Sequence, residues 1–286
     1  MKKLFLFLVL ILAACSQATA VAIQEPTMQD IPAATQPSAQ DTPIPTPVSD
    51  TSISLPPGPV TLVALGDSLT QGDGDDSGRG YPGRLLEMVN TIRPDSTLIN
   101  LGQSGWSSDA LINGDQGIDS QLERAVIALQ DAISQGRVAV ALVWVGSNDL
   151  WYLYEYGGDV NDDGDAQDAE HYRANMDQII SRLRSTGATV IVALLDDQSK
   201  RPVALKGEAF TAVTQDELAR MSVQVTRYNE IIKASATQSG AWTVDFYNTD
   251  IFTKPATLYD DGNHPNQAGY DVIAQKWWEV LRPLLD

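Results

Sequence analysis

The chain is short of thiols, imidazoles and positive charge. Cys15 is its only cysteine, which excludes an intramolecular disulfide. Lys and Arg number 19 against 37 Asp and Glu, for a net charge of −18. Phosphate binding needs clustered cations, so this balance argues against nucleic acid as a partner. Long apolar runs are also missing. The longest, from Leu4 to Ala14, is too short to span a bilayer comfortably. It follows Lys2 and Lys3 and reads as the apolar stretch of an export signal.

That run ends in Leu12-Ala13-Ala14-Cys15. The sequence resembles the lipobox of bacterial lipoproteins, in which the cysteine is lipidated and becomes the mature N-terminus. The resemblance implies a signal peptide over 1–15 and attachment to the cell envelope through Cys15. Ala18-Thr19-Ala20 offers an ordinary cleavage site instead. Residues 16–58 are rich in Pro, Thr, Ser and Gln and show no periodicity, so they are expected to form a disordered tether. A folded domain is expected over 59–286, as a monomer.

Within 59–286, short apolar runs alternate with amphipathic stretches. Strands are expected at 60–65, 96–101, 138–145, 188–195 and 241–247. Helices are expected at 81–92, 118–134, 170–187, 216–238 and 266–285. Five such alternations predict a parallel five-stranded α/β sheet covered on both faces. Functional groups in such sheets gather at the carboxyl ends of the strands.

Four strand ends carry chemically useful residues. "GDSLT" follows the first strand and places Ser68 there. "NLGQSGW" after the second brings Gly105, and "GSND" after the third brings Asn148. "DDGNHPN" after the last brings Asp261 and His264. A serine hydroxyl needs an adjacent base to act as a nucleophile. Of the two histidines, His171 belongs to a helix exterior, which leaves His264 as the base and Asp261 to orient it. Asp260 is one residue out of that spacing and is a weaker alternative. The Ser68 N–H, the Gly105 N–H and the Asn148 carboxamide are candidate donors to a tetrahedral oxyanion. The G-x-S-x-G elbow of the usual alpha/beta-hydrolases is absent.

These four blocks, in this order, resemble the SGNH hydrolases, also called GDSL esterases/lipases. The resemblance runs from about residue 62 to 265 and into the closing helix. It implies a three-layer, flavodoxin-like fold and hydrolysis of small or polymer-borne carboxylic esters, with no cofactor for catalysis. It also implies Ser68 as nucleophile, Asp261 and His264 as its partners, and Ser68, Gly105 and Asn148 as the oxyanion hole. Asp67 and Asp149 flank two blocks and read as structural. The rival is a non-catalytic module that binds polysaccharide or docks on a scaffold. Trp151, Tyr152, Tyr154 and Tyr156 are available for stacking on sugars, or for the core.

Residues 159–170, "DVNDDGDAQDAE", match the EF-hand loop pattern. Asp159, Asn161, Asp163, Asp165, Gln167 and Glu170 fall at the ligand positions and Gly164 at the sharp turn. A structural calcium ion is the expectation, with Asp162 and Asp168 pointing outward. A partial echo at 73–84 places Arg84 where a ligand carboxylate belongs, and reads as a mobile loop.

Overall fold

The computed structural model describes residues 54–157, 161–207 and 210–286. Cys15, the leader and most of the expected tether lie outside them, as does Asp159.

The five apolar runs form strands β1 (Val60–Gly66), β2 (Thr97–Asn100), β3 (Val138–Trp144), β4 (Thr189–Leu194) and β5 (Trp242–Asp245). All pair in parallel, in the order β2-β1-β3-β4-β5. β1, β3 and β4 are buried along their whole length, so they read as continuous Val/Leu/Ile runs without alternation. The edge strands β2 and β5 are short and largely exposed, which limits pairing with other chains.

The helices are α1 (Ser68–Gln71), α2 (Gly80–Ile92), α3 (Ser108–Asn113), α4 (Gln121–Ser134), α5 (Ser147–Tyr156), α6 (Asp162–Arg184), α7 (Pro202–Lys206), α8 (Gln215–Ser239) and α9 (Gln267–Leu285). α2 and α9 pack together on one face of the sheet, and α4, α6 and α8 on the other. This is a three-layer α/β/α arrangement with the flavodoxin-like strand order. Its topological switch point lies between β1 and β3, so the loops leaving those strands diverge and open a crevice.

Trp144 at the end of β3 stacks on Phe246 (4.3 Å between ring centroids), and Tyr81 stacks on Trp277 of α9 (5.2 Å). This buried cluster anchors the carboxyl end of β3 just before Asn148. Gly66, at the end of β1, has φ +153°, and an added Cβ would lie 2.1 Å from the Trp144 carbonyl oxygen. Only glycine allows that close approach.

The structure adds to or departs from the sequence reading at four places. The "DLWYLYEY" stretch is helical (α5), with its aromatics divided between core and surface. α6 starts eight residues earlier than expected, inside the acidic run. The loop before α2 is tied down, because Asp75 accepts from Ser77, from the Gly80 N–H and from buried Arg84. Burial pushes the Asp75 carboxyl up, but those donors outweigh it and hold it below the usual range. The body also reaches back before residue 59. The Leu55 N–H donates to the Leu284 carbonyl (2.7 Å), and Arg93 donates to the carbonyls of Pro56 (2.8 Å) and Gly58 (3.0 Å).

Candidate active site

β1 delivers Ser68 to the first position of α1, whose N-cap is Asp67. The Asp67 side chain accepts from the Leu69 N–H (3.0 Å), which turns the chain sharply and lifts Ser68 from the sheet. Gln121 of α4 pairs with the Gly66 peptide in both directions, donating to its carbonyl and accepting from its N–H, each at 2.9 Å. The turn that carries Ser68 is therefore held from both sides.

The Ser68 hydroxyl lies 3.0 Å from His264 Nε2. His264 Nδ1 lies 2.6 Å from Asp261 Oδ2, and Asp261 Oδ1 accepts the N–H groups of Asn263 (2.8 Å) and His264 (3.0 Å). Burial pushes the Asp261 carboxyl up, but the bond from His264 and the two N–H groups outweigh it and hold it below the usual range. Asp261 is thus ionised at neutral pH and accepts the proton on Nδ1, which leaves Nε2 free to take the serine proton. Asp260 is exposed and outside this chain of contacts.

Gly105 and Asn148 line the same cavity, of about 310 Å³, together with Ser68, Trp151, Tyr152 and His264. Asn148 donates one amide N–H to the Trp106 carbonyl (3.0 Å), which fixes the carboxamide and leaves its second N–H for a ligand. Among the described residues no acceptor takes the Ser68 or the Gly105 N–H. The structure therefore brings together all the residues expected for the nucleophile, its partners and the oxyanion donors.

Beside the site, Arg201 and its partners were not anticipated. Arg201 is almost fully buried and grips Asp196 with two donors (2.8 and 2.6 Å). Its third contact is to the Asn263 side chain (2.8 Å), which steadies the loop carrying His264. Asp67 Oδ2 is buried with no protein partner among the described residues. Burial pushes the Asp67 carboxyl up to about 7, against the pull of the Leu69 N–H and of Arg201. Asp149 is likewise raised by burial, to about 6, against the donors of Ser108. The aromatic stretch divides evenly, with Trp151 and Tyr154 buried and Tyr152 and Tyr156 exposed. His171 pairs with Asp109 on the surface (2.8 Å).

The described ligand positions, Asn161 to Glu170, do not take the form of a calcium loop. An EF-hand loop wraps its donors around one point and turns sharply at its glycine. Here Gly164 lies inside the continuous helix α6, and Asn161 caps that helix by accepting from the N–H groups of Asp163 (3.1 Å) and Gly164 (3.0 Å). Asp165 is buried, accepts from the Tyr154 hydroxyl (2.9 Å) and pairs with Arg220 (2.5 Å). Asp163 and Gln167 face solvent, and Glu170 pairs with Arg173. Asp168 does not point outward, since it accepts from the Tyr228 hydroxyl (2.6 Å) and from Gln224 (2.9 Å). Among the described residues, no three His, Cys, Asp or Glu side chains converge on a metal-sized point.

Residues 64–272 match the model of the GDSL-like Lipase/Acylhydrolase family. The chain belongs to this family. Membership brings the esterase/acylhydrolase class with it. Among curated relatives, the uncharacterized protein YpmR of Bacillus subtilis is 24% identical over 230 residues, covering 78% of this chain and 82% of its own. A multidomain esterase of Ruminococcus flavefaciens is 23% identical over 253 residues, which is 82% of this chain and 30% of that protein. Two solved structures share the fold. LAE5, an alpha/beta hydrolase enzyme from the metagenome of Lake Arreo, is 21% identical with a TM-score of 0.53, over 80% of this chain and 97% of its own. Axe2, an acetylxylan esterase of Geobacillus stearothermophilus, is 18% identical with a TM-score of 0.52, over 82% and 96%.

Proposed function

We propose that this GDSL-family chain is a serine esterase acting outside the cytoplasm and held to the cell envelope by lipid on Cys15. In the first half-reaction, the Ser68 oxygen attacks an ester carbonyl while His264 Nε2 takes its proton. Asp261 orients the imidazole and stabilises the imidazolium that forms. The developing oxyanion is met by the N–H groups of Ser68 and Gly105 and by the Asn148 amide. His264 then returns the proton to the departing alcohol. Water, deprotonated by the same histidine, then adds to the acyl carbon, and the Ser68 oxygen departs with that proton as the acid is released. Preorganised donors of this kind lower the barrier by about 3 kcal/mol each.

The observation that carries this reading is the unbroken chain from the Ser68 hydroxyl through His264 to Asp261, at 3.0 and 2.6 Å. A fluorophosphonate probe, which phosphonylates only activated serines, should label Ser68. Labelling should vanish in Ser68→Ala and fall at least a hundredfold in rate in His264→Ala. A wild-type protein that neither reacts with the probe nor hydrolyses aryl esters would make the chain a binding module. The anchor has its own readout: a metabolic fatty-acid label that is present in the wild type and absent in Cys15→Ala.

A further inference from the structure

The loop that carries Gly105 is gripped by the first two turns of α5. Asn148 donates to the Trp106 carbonyl at 3.0 Å. Asp149 accepts the Ser108 N–H with both oxygens (3.1 and 2.9 Å) and the Ser108 hydroxyl with one of them. Tyr152, one turn further on, donates its hydroxyl to the Gly105 carbonyl at 2.6 Å. On the other side of the glycine, the Ser104 N–H donates to Gln71 Oε1 (2.7 Å), and the Ser104 hydroxyl lies 2.6 Å from Asp73 Oδ2.

Gly105 sits at φ +79°, where glycine has more freedom than any other residue. An oxyanion donor needs the opposite property, a single direction held before the substrate arrives. Ser104 is pinned on one side of the Gly105 Cα. Tyr152 pins the carbonyl on the other. Together they restrict rotation of the peptide between them, which carries the Gly105 N–H beside the cavity that Ser68 also lines.

We propose that Tyr152 is a positioning residue for the oxyanion hole, acting through the Gly105 carbonyl, with Asp149 and Ser108 holding the remainder of the loop. This rests on the esterase reading above. Tyr152 also lines the cavity and is partly exposed, so its ring has a competing use as a substrate contact. The two roles separate kinetically. A contact made equally in the ground and transition states appears in KM, whereas a misdirected oxyanion donor appears in kcat.

Tyr152→Phe keeps the ring and removes only the hydroxyl. In the full chain, kcat on a soluble aryl ester should fall about tenfold, less than the hundredfold or more that follows outright loss of a donor, while KM stays within about twofold. Binding of a trifluoromethyl ketone provides a second measure. The Ser68 oxygen adds to its carbonyl carbon, the serine proton passes to His264 Nε2, and the resulting oxyanion occupies the hole. Its affinity should fall by the same factor as kcat/KM. A raised KM with unchanged kcat would make Tyr152 a substrate contact and overturn the proposal. Unchanged kcat, KM and ketone affinity would overturn it as well. A wild type that hydrolyses no ester and does not differ from Ser68→Ala would instead bring down the esterase reading, and this proposal with it.

Discussion

Asp67 is a buried carboxyl one residue before the candidate nucleophile, with one oxygen on the Leu69 N–H and the other on no protein donor among the described residues. Its pKa rises from 3.8 to about 7, so between those values the folded chain holds a proton that the unfolded chain has released. The contribution of Asp67 to stability is therefore greatest below about pH 4, falls as pH rises toward about 7, and levels off above it. Asp149, raised to about 6, adds a slope of the same sign over a narrower window. Asp67→Asn keeps the oxygen that caps α1 and removes the charge. We expect wild type and variant to melt together near pH 4 and the variant to melt several degrees higher at pH 8, in line with a few kcal/mol for a fully buried carboxylate. Thermal scans from pH 4 to 8 check this. Parallel slopes in the two proteins would show that Asp67 ionises in place without cost.

At the scale of elements, the described part of the acidic run, 161–170, is the cap and start of a helix. Asp, Asn and Gly in a D-x-N-x-D-G spacing suit a calcium loop, but they also suit an N-cap followed by an acidic first turn. Asn161 takes the cap, and Asp162, Asp163 and Asp165 lie where the helix dipole favours negative charge. Asn161→Ala should cost about 1 kcal/mol, or a Tm decrease of about 2–4 °C. Calcium and chelator should each leave the wild-type Tm unchanged. A Tm that climbs with calcium concentration would mean that the segment rearranges around the ion. The strands were easier to read, because a strand buried on both faces shows as an uninterrupted apolar run, as in β1 and β3. The four blocks were legible because each chemical role needs one residue type at a strand end. Tyr152 on Gly105 and Arg201 on Asn263 were not legible. These contacts span 47 and 62 residues, and no local pattern announces a pairing made only when the sheet closes.

For the whole molecule, the question is where the folded body begins. The shift to apolar composition suggested residue 59, just ahead of β1. The structure adds a short lead-in that composition cannot reveal, since "LPPG" reads as linker. Leu55 donates to the Leu284 carbonyl and packs against the core, so the lead-in closes over the end of α9. Arg93, at the end of α2, binds the carbonyls of Pro56, Gly58 and Leu285 together, which ties the two ends of the domain to one guanidinium. A chain begun at residue 54 keeps all of these contacts. A chain begun at 59 loses the Leu55 bond and two of the three acceptors on Arg93, and uncovers the apolar surface under Leu55. The loss should be about 2–3 kcal/mol from the bonds and the exposed leucine together. In a domain of this size that corresponds to a Tm decrease of roughly 4–12 °C. Activity on a soluble aryl ester at 25 °C should be the same for both chains, because every site residue follows Val60 and the cavity lies at the opposite ends of the strands. Paired thermal and kinetic measurements on the two truncations decide it. Equal melting temperatures would return the boundary to 59, and a loss of activity in the longer chain would show that the residues before 54 contribute to the site.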